Sequence, residues 1–179
     1  MSRRSLGREV LATLRLRVST PRVRLWILAG LAAGGSVLPV SLSAEKPDVR
    51  ARLIAPPAVA AASGATLVVE LTVGAGWHVN GHSPAEKFLI PTDLKLTTTA
   101  GTLSPVRYPP AVEKRFSFSE TPLRVYAGTV RLETDLSTPA DASGTVSITG
   151  ALSYQACNEQ QCFAPARIPL DVSIAVSRP

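Results

Sequence analysis

Two cysteines, Cys157 and Cys162, are the residues of this 179-residue chain whose type and spacing most directly suggest chemistry. They are the only cysteines in the sequence, and four residues separate them. A pair this close can form a structural disulfide, act as a reversible redox couple, or supply thiolates to a metal site. An oxidising compartment, for which the N-terminal region argues below, favours the first two possibilities over the metal site.

The residues around the pair predict a β-hairpin. A strand pattern ends at residues 152–157, a four-residue loop follows at residues 158–161, and Cys162 leads into the last strand. Directly opposed residues of antiparallel strands have Cα atoms about 4.5–5.5 Å apart, and a disulfide needs about 4.4–6.8 Å. The spacing therefore permits a bond. Because closing so short a loop stabilises a fold by only about 2 kcal/mol, and an exposed turn is accessible to a partner thiolate, both a staple and a redox couple remain open.

The charges near the pair predict cysteines of low reactivity. The loop contains no lysine or arginine, and it contains Glu159. A neighbouring carboxylate raises the pKa of a thiol and so reduces the fraction of reactive thiolate. We therefore expect any exchange reaction to require activation by a docked partner.

Period-two alternation of apolar residues runs through most of the chain and predicts antiparallel strands with one buried face. The clearest examples are residues 66–73, 130–136, 145–154 and 168–176, and the shorter candidates are residues 49–54, 77–79, 92–96 and 125–130. No helical period occurs beyond the N-terminal region. About eight short strands separated by glycine-containing turns predict an all-β fold, an immunoglobulin-like antiparallel β-sandwich.

The first 44 residues have the organisation of a secretory leader. Arg22 and Arg24 precede an apolar run at residues 25–38, and small residues follow before a predicted cleavage site after Ala44. Residues 1–44 are thus the predicted signal peptide and leader, and residues 45–179 the predicted sandwich domain. Because the apolar run is short for a bilayer, the mature protein is expected to have no membrane span, with an uncleaved anchor as the alternative.

The net charge of +6 does not indicate a nucleic-acid partner. Of the 19 basic and 13 acidic residues, seven arginines and one glutamate precede Leu25, which leaves twelve of each sign from Glu45 onward. The basicity therefore belongs to the leader, and the predicted domain carries no excess positive charge for binding nucleic acid.

The histidines and tyrosines are expected to pack in the fold and not to take part in chemistry. His78 and His82 lack the carboxylate or methionine partners of a copper site, so we expect no metal. Tyr154 faces inward by alternation and packs either beneath the cysteines or in the core, and Tyr126 is expected in packing. No phosphate-binding glycine loop is present, and we expect no cofactor. Residues 104–121 lack a strand pattern, and loops of this length in compact domains tend to be functional.

Several motifs occur together in an order found in one protein family. The most specific are Tyr-Gln-Ala-Cys at residues 154–157 and Gly-Trp-His at residues 76–78. Cys-Phe-Ala-Pro at residues 162–165, Leu-Ile-Pro-Thr at residues 89–92, and the segment 116–128 support them. Together they resemble the N-terminal periplasmic domain of the thiol:disulfide interchange protein DsbD, over nearly the whole predicted domain.

This resemblance implies a periplasmic immunoglobulin-like sandwich that relays reducing equivalents between thioredoxin-fold partners. In the family, electrons cross a membrane domain, reach a thioredoxin-like domain, and pass to this module, which reduces periplasmic isomerases and thiol proteins of cytochrome c assembly. Cys162 corresponds to the exchanging thiol and Cys157 to the resolving thiol. An aromatic residue of a cap loop shields the pair, and Phe116, with Phe118 second, lies in the matching segment. The supporting residues in the matching motifs are Tyr154, Gln155 and Tyr126.

Three departures from the family bear on this expectation. Full-length members continue into membrane helices and a thioredoxin-like domain, so a chain ending at Pro179 predicts a separate membrane electron donor. The best-known members have five residues between the cysteines, whereas this chain has four. The acidic residues of the family's cap are matched only loosely, by Glu113 and Glu120. The alternative function is a sandwich that binds or scaffolds a periplasmic partner and keeps a purely structural disulfide.

Overall fold

β-strands are the only extended regular elements in the computed structural model, which describes residues 46–177. The strands are β1 (Val49–Ile54), β2 (Ala58–Ala60), β3 (Gly64–Val73), β4 (His78–Asn80), β5 (Asp93–Thr98), β6 (Thr102–Leu103), β7 (Val112–Lys114), β8 (Leu123–Tyr126), β9 (Gly128–Ser137), β10 (Gly144–Tyr154), β11 (Ala156–Cys157) and β12 (Ala166–Ser177). Within this part of the chain no helix is long and apolar enough to cross a bilayer. The predicted all-β class is confirmed, and the predicted leader lies outside the described residues.

Two four-stranded sheets pack face to face and enclose the core. The first sheet has the order β1-β3-β9-β6, and the second has the order β2-β12-β10-β5. Alternating residues of both sheets meet in buried clusters, with Leu67 and Ile148 in one and Val69 and Leu152 in another. Each such side chain stabilises the fold by about 1.5–3 kcal/mol on leaving water. This is the predicted immunoglobulin-like sandwich, with one parallel pairing, β2 with β12.

A third sheet, with the order β11-β4-β8-β7, carries the cysteine pair. It arises from two breaks in the strand pattern. Gln155 separates β10 from β11, and Ala127 separates β8 from β9. Gly128 follows with a φ of 65°, a left-handed conformation that glycine adopts without steric cost. The predicted continuous strand at residues 125–130 is therefore wrong, because its two halves belong to different sheets.

The alternation pattern does not predict the shortest strands. The strands β2, β6, β7 and β11 are two or three residues long, and β2, β6 and β11 pair with strands distant in sequence. The segment 104–121 is consequently not one loop. Arg107 forms an isolated bridge with Glu133, and β7 pairs with β8. These pairings hold the segment against the sheets, and residues 115–121 are the part of the predicted cap without a strand pairing.

Candidate active site

The two cysteines form a disulfide at the base of a tight hairpin, as predicted. On one side of the pair, the Asn158 N–H donates to the Gln161 carbonyl at 2.9 Å. On the other side, the Phe163 N–H donates to the Ala156 carbonyl at 2.8 Å. The cysteines thus occupy a non-hydrogen-bonded antiparallel pair, the kind that brings facing residues closest. Their Cα atoms are 3.9 Å apart, below the predicted range.

The side chain of Asn158 shapes the four-residue loop. Its Oδ1 accepts hydrogen bonds from the backbone N–H groups of Gln160 at 3.0 Å and Gln161 at 2.9 Å. Asparagine favours turns because its side chain can accept backbone hydrogen bonds two or three residues further along the chain. The loop therefore closes by local bonds and holds the two cysteines opposite each other.

The two cysteines differ in exposure. Cys157 is 0% exposed, whereas Cys162 is half-buried. An attacking thiolate can therefore approach the bond from the side of Cys162 only. This asymmetry agrees with the roles that the family resemblance implies, Cys162 as the exchanging thiol and Cys157 as the resolving thiol, and those roles remain predictions.

His78 lies beside the disulfide on the neighbouring strand. The pairing of β4 with β11 places His78 directly opposite Cys157. Since directly opposed residues project from the same face of a sheet, His78, Cys157 and Cys162 form a row across three adjacent chain segments. The sequence predicted only a structural role for His78, because a local pattern does not show which distant strand pairs with β4.

Phe116 packs on His78. The two rings are stacked with centroids 4.0 Å apart, and Phe116 is 5% exposed. Phe118, the second predicted cap residue, stacks on Phe116 with ring centroids 5.3 Å apart and is 39% exposed. Phe116 also belongs to a small buried cluster with Leu89, Leu123 and Val125. The segment predicted to shield the pair therefore packs on His78, the residue paired with Cys157.

Two polar contacts join the Phe116 segment to the cysteine hairpin, and we refer to them as the cap latch. Lys114 Nζ lies 2.6 Å from Glu159 Oε1, and Ser117 Oγ donates to the Glu159 carbonyl at 3.1 Å. The fold thus gives Glu159 a counter-charge that the loop sequence lacks. Because both charged side chains are about half exposed, the ion pair is worth only about 0–1 kcal/mol. Glu113 is one of the two residues loosely matched to the family's cap acids, and its Oε1 lies 3.7 Å from Nε of Arg124.

Burial leaves the imidazole of His78 neutral at physiological pH. The residue is 1% exposed, and its Nε2 has no hydrogen-bond partner. The pKa of His78 is lowered from 6.5 to about 4, chiefly by burial and also by the charge of Lys114, while Glu159 partly offsets both. The ring of His82, unlike Nε2 of His78, has a polar neighbour: its Nδ1 lies 3.1 Å from the Thr92 carbonyl oxygen. Among residues 46–177, no group of three or more potential ligands is arranged to hold a metal ion.

Gln155 connects three segments around the hairpin. Its Oε1 accepts hydrogen bonds from Asn80 Nδ2 at 3.2 Å and from the Ile90 N–H at 3.3 Å. Its Nε2 donates to the Phe163 carbonyl at 3.1 Å. Because Gln155 sits at the break between β10 and β11, this side chain holds the loop after β4 and the chain after Cys162 in one place.

The two tyrosines serve packing. Tyr154 is 7% exposed within the larger core cluster, and burial raises the pKa of its phenol. The Tyr126 hydroxyl donates to the Pro109 carbonyl at 2.9 Å, and burial raises the pKa of this phenol as well. Both phenols therefore stay protonated at neutral pH. Tyr126 anchors the segment that leads into the cap.

Comparison with known families agrees with this arrangement. Residues 50–171 match the family described as thiol:disulfide interchange protein DsbD, N-terminal. The chain belongs to this family. The match includes the cysteine pair, His78 and the cap segment, so the site described above lies wholly within the DsbD N-terminal family region. No curated protein sequence matches the chain.

Two solved structures are similar to this DsbD N-terminal family member. The N-terminal periplasmic domain of ScsB from Proteus mirabilis is 14% identical with a TM-score of 0.50, over 69% of this chain and 45% of that chain. The N-terminal domain of DsbD from Neisseria meningitidis, in the reduced form, is 17% identical with a TM-score of 0.39, over 63% of this chain and 80% of that chain. The chain spans less than half of the ScsB structure, and at this identity the likeness concerns the fold alone.

We expect this DsbD N-terminal family member to lose stability in mild acid because of His78. Above about pH 6.5 the imidazole is uncharged in the folded and the unfolded state and adds no pH dependence. Between pH 6.5 and about 4, the unfolded state takes up a proton that the folded state does not, so the free energy of unfolding falls by about 3 kcal/mol. Denaturant unfolding at a series of pH values measures this loss.

The His78→Phe protein should lack this part of the acid sensitivity, because phenylalanine has no proton to take up. His82→Gln, which changes the other histidine of the chain, should keep it. Identical pH dependence in the wild type and in His78→Phe would show that His78 titrates normally in the folded state.

Replacing Gln155 with leucine should destabilise the domain by about 2 kcal/mol. The change removes the acceptor of Asn80 Nδ2 and the donor to the Phe163 carbonyl, both in part-buried hydrogen bonds, and an unsatisfied buried polar group costs about 1–3 kcal/mol. Denaturant unfolding compares this variant with Gln160→Leu, a matched change at an exposed glutamine of the hairpin loop. Equal losses in the two variants would contradict a structural role for the Gln155 amide.

Proposed function

We propose that this protein is a thiol:disulfide exchange module that relays reducing equivalents between thioredoxin-fold partners through a reversible Cys157–Cys162 disulfide. Membership in the DsbD N-terminal family supports the exchange chemistry. The observation that carries the proposal is the unequal burial of the pair, with Cys157 fully covered and Cys162 half-buried. An exchange couple needs this difference, because one sulfur must receive the attacking thiolate while the other leaves.

Reduction of the module proceeds through a mixed disulfide. A partner thiolate attacks Sγ of Cys162, the Cys157–Cys162 bond breaks, and the electron pair leaves on Sγ of Cys157, which takes up a proton. A second partner thiol then attacks the mixed disulfide and releases the partner in its oxidised form. Two electrons and two protons have entered the module. The reverse sequence passes them to the disulfide of an acceptor.

The cap controls access to this chemistry. The cap latch ties the Phe116 segment to Glu159 in the loop between the cysteines, so a protein partner that docks on the hairpin breaks the latch and lifts Phe116 from His78. Phe118 is 39% exposed, and two further exposed apolar residues, Phe88 at 77% and Ile90 at 39%, flank Leu89, which packs with Phe116. Exposed apolar surface of this kind favours docking of a partner. A partner that covers it can displace the cap as it docks.

The proposed site of action is the periplasm, after export directed by residues 1–44. The mature domain is then residues 45–179, without a membrane span, and a thioredoxin-fold partner supplies its electrons. The acceptors are disulfide isomerases or thiol proteins of cytochrome c assembly. The leader pattern and the family support this placement, and the similar ScsB domain is described as periplasmic.

The equilibrium reduction potential of the pair tests the proposed function. A couple that exchanges with thioredoxin-fold proteins should lie in their range, about −120 to −270 mV. The alternative is a scaffold whose disulfide is only a staple, and the complete burial of Cys157 favours it. Structural disulfides lie below about −300 mV, so a value there, measured by equilibration with dithiol buffers and thiol trapping, would exclude the relay.

A further inference from the structure

His78 occupies a position from which a base can serve Cys157. The two residues are directly opposed on β4 and β11, and the Cβ atoms of such pairs lie about 4.5–5.5 Å apart on one face of the sheet. An imidazole nitrogen at this separation reaches the sulfur directly or through one water. Nε2 is buried without a hydrogen-bond partner, which is uncommon for a buried polar atom and leaves it available for a thiol proton.

Cys157 is the member of the pair that needs a base. In the last step of reducing an acceptor, Cys157 must attack the mixed disulfide at Cys162 as a thiolate. Cys157 is 0% exposed, and burial in apolar surroundings opposes ionisation of a thiol. A proton acceptor inside the site is therefore required for this step to be fast.

We propose that His78 is the general base that deprotonates Cys157 in this resolving step, an inference that rests on the proposed function. Neutral His78 accepts the thiol proton while Sγ of Cys157 attacks Sγ of Cys162. The Cys157–Cys162 bond forms, the bond from Cys162 to the acceptor breaks, and the acceptor leaves as a thiolate with the electron pair. The acceptor has then gained two electrons, and the imidazolium releases its proton to water. In the opposite direction, the imidazolium returns a proton to Cys157 as that sulfur leaves.

The cap determines the strength of this base. While Phe116 is stacked on the ring, burial holds the pKa of His78 at about 4, so the imidazole accepts a proton poorly. The charged groups that act on it are Lys114 from β7, which lowers the pKa, and Glu159 from the hairpin loop, which raises it. When a partner lifts the cap, water reaches the ring and Lys114 withdraws with the latch. The pKa then rises towards 6.5, and the base gains strength only in the complex.

A single-turnover reaction separates the two steps of exchange. The reduced protein reacts with a symmetric aromatic disulfide that releases a coloured thiolate, once on attack by Cys162 and again on attack by Cys157. We expect His78→Phe, which keeps an aromatic ring against Phe116, to leave the first release unchanged and to slow the second by about 10²-fold. The wild-type second release should rise with pH through a midpoint between about 4, the pKa of His78 under the closed cap, and about 6.5, its value in water, and this midpoint should be absent from His78→Phe.

The matched control is His82→Phe at the other histidine of the chain, which should behave as the wild type in both releases. Equal second-release rates and pH profiles in the wild type and His78→Phe would overturn the inference and leave the proposed function intact. A wild-type disulfide that a reduced thioredoxin-type protein cannot open would instead overturn the proposed function.

A second measurement decides the matter without any change at His78. The Cys157→Ala protein, with the aromatic thiol attached to Cys162, keeps His78 in the mixed-disulfide state. NMR titration of its imidazole gives the pKa in that state. If His78 is the base, this pKa coincides with the midpoint of the wild-type second release, and a clear mismatch overturns the inference even where His78→Phe fails to fold.

Discussion

The Cys157→Ala protein should accumulate a mixed disulfide with a thioredoxin-fold partner, whereas Cys162→Ala should capture none. Cys162 is half-buried and keeps its attacking sulfur in the first variant, and without Cys157 the intermediate cannot be resolved. In the second variant the remaining thiol, Cys157, is completely covered. Turnover should be abolished in both variants, and only the capture should differ.

Non-reducing electrophoresis measures this difference when each reduced variant is mixed with a thioredoxin-fold protein that lacks its own resolving cysteine and carries an aromatic thiol as a mixed disulfide on the remaining one. Attack by the variant's thiolate on the partner's sulfur forms the new disulfide and expels the aromatic thiolate. Capture by Cys162→Ala and not by Cys157→Ala would reverse the assigned roles. Capture by neither variant would leave the disulfide as a structural staple of the hairpin.

Replacing Phe116 with alanine should have two large effects of opposite kind. Phe116 is 5% exposed, and phenylalanine-to-alanine changes at buried positions cost about 3–5 kcal/mol, so the free energy of unfolding should fall by about 3 kcal/mol. Burial of the ring also holds the cap closed by about 2 kcal/mol, so its loss should raise the open fraction, and the rate of reduction by a small dithiol, at least tenfold. Denaturant unfolding and the kinetics of thiol release measure the two effects.

The neighbouring aromatic residue provides the control. Phe118 is 39% exposed, so Phe118→Ala should change stability by less than about 1 kcal/mol and leave the reduction rate near that of the wild type. Lys114→Met, which removes the ion pair of the cap latch, should accelerate reduction by at most about fivefold. An unchanged reduction rate in Phe116→Ala would show that Phe116 is a core residue and not a shield.

The long strands follow from local pattern. Leu67, Val69 and Leu71 alternate with half-buried residues along β3, as the sequence predicts, because a strand with one face in the core repeats its burial every second residue. The division between β8 and β9 does not follow from that pattern, since the apolar residues continue across Ala127. The break depends on the left-handed backbone at Gly128 and on the separate sheets that receive each half.

The candidate site, like the strands, was only partly predictable from local sequence. The cysteine hairpin was predictable because its two strands are joined by a loop of four residues, so their register is set locally. The aromatic cap was expected only from the family resemblance, and the structure places Phe116 on His78. The position of His78 opposite Cys157 had no signal in the sequence, because β4 and β11 lie far apart in the chain.

The all-β class was predictable from the alternation of apolar residues along each strand, and the opposed cysteines from the short loop that joins them, because both are local features of the chain. The burial of Cys157, the pairing of Lys114 with Glu159 and the neutral histidine beside the couple depend on the tertiary structure. Those features depend on how three distant segments pack and in which register. Packing and register are properties of the whole sheet, and no local run of residues encodes them.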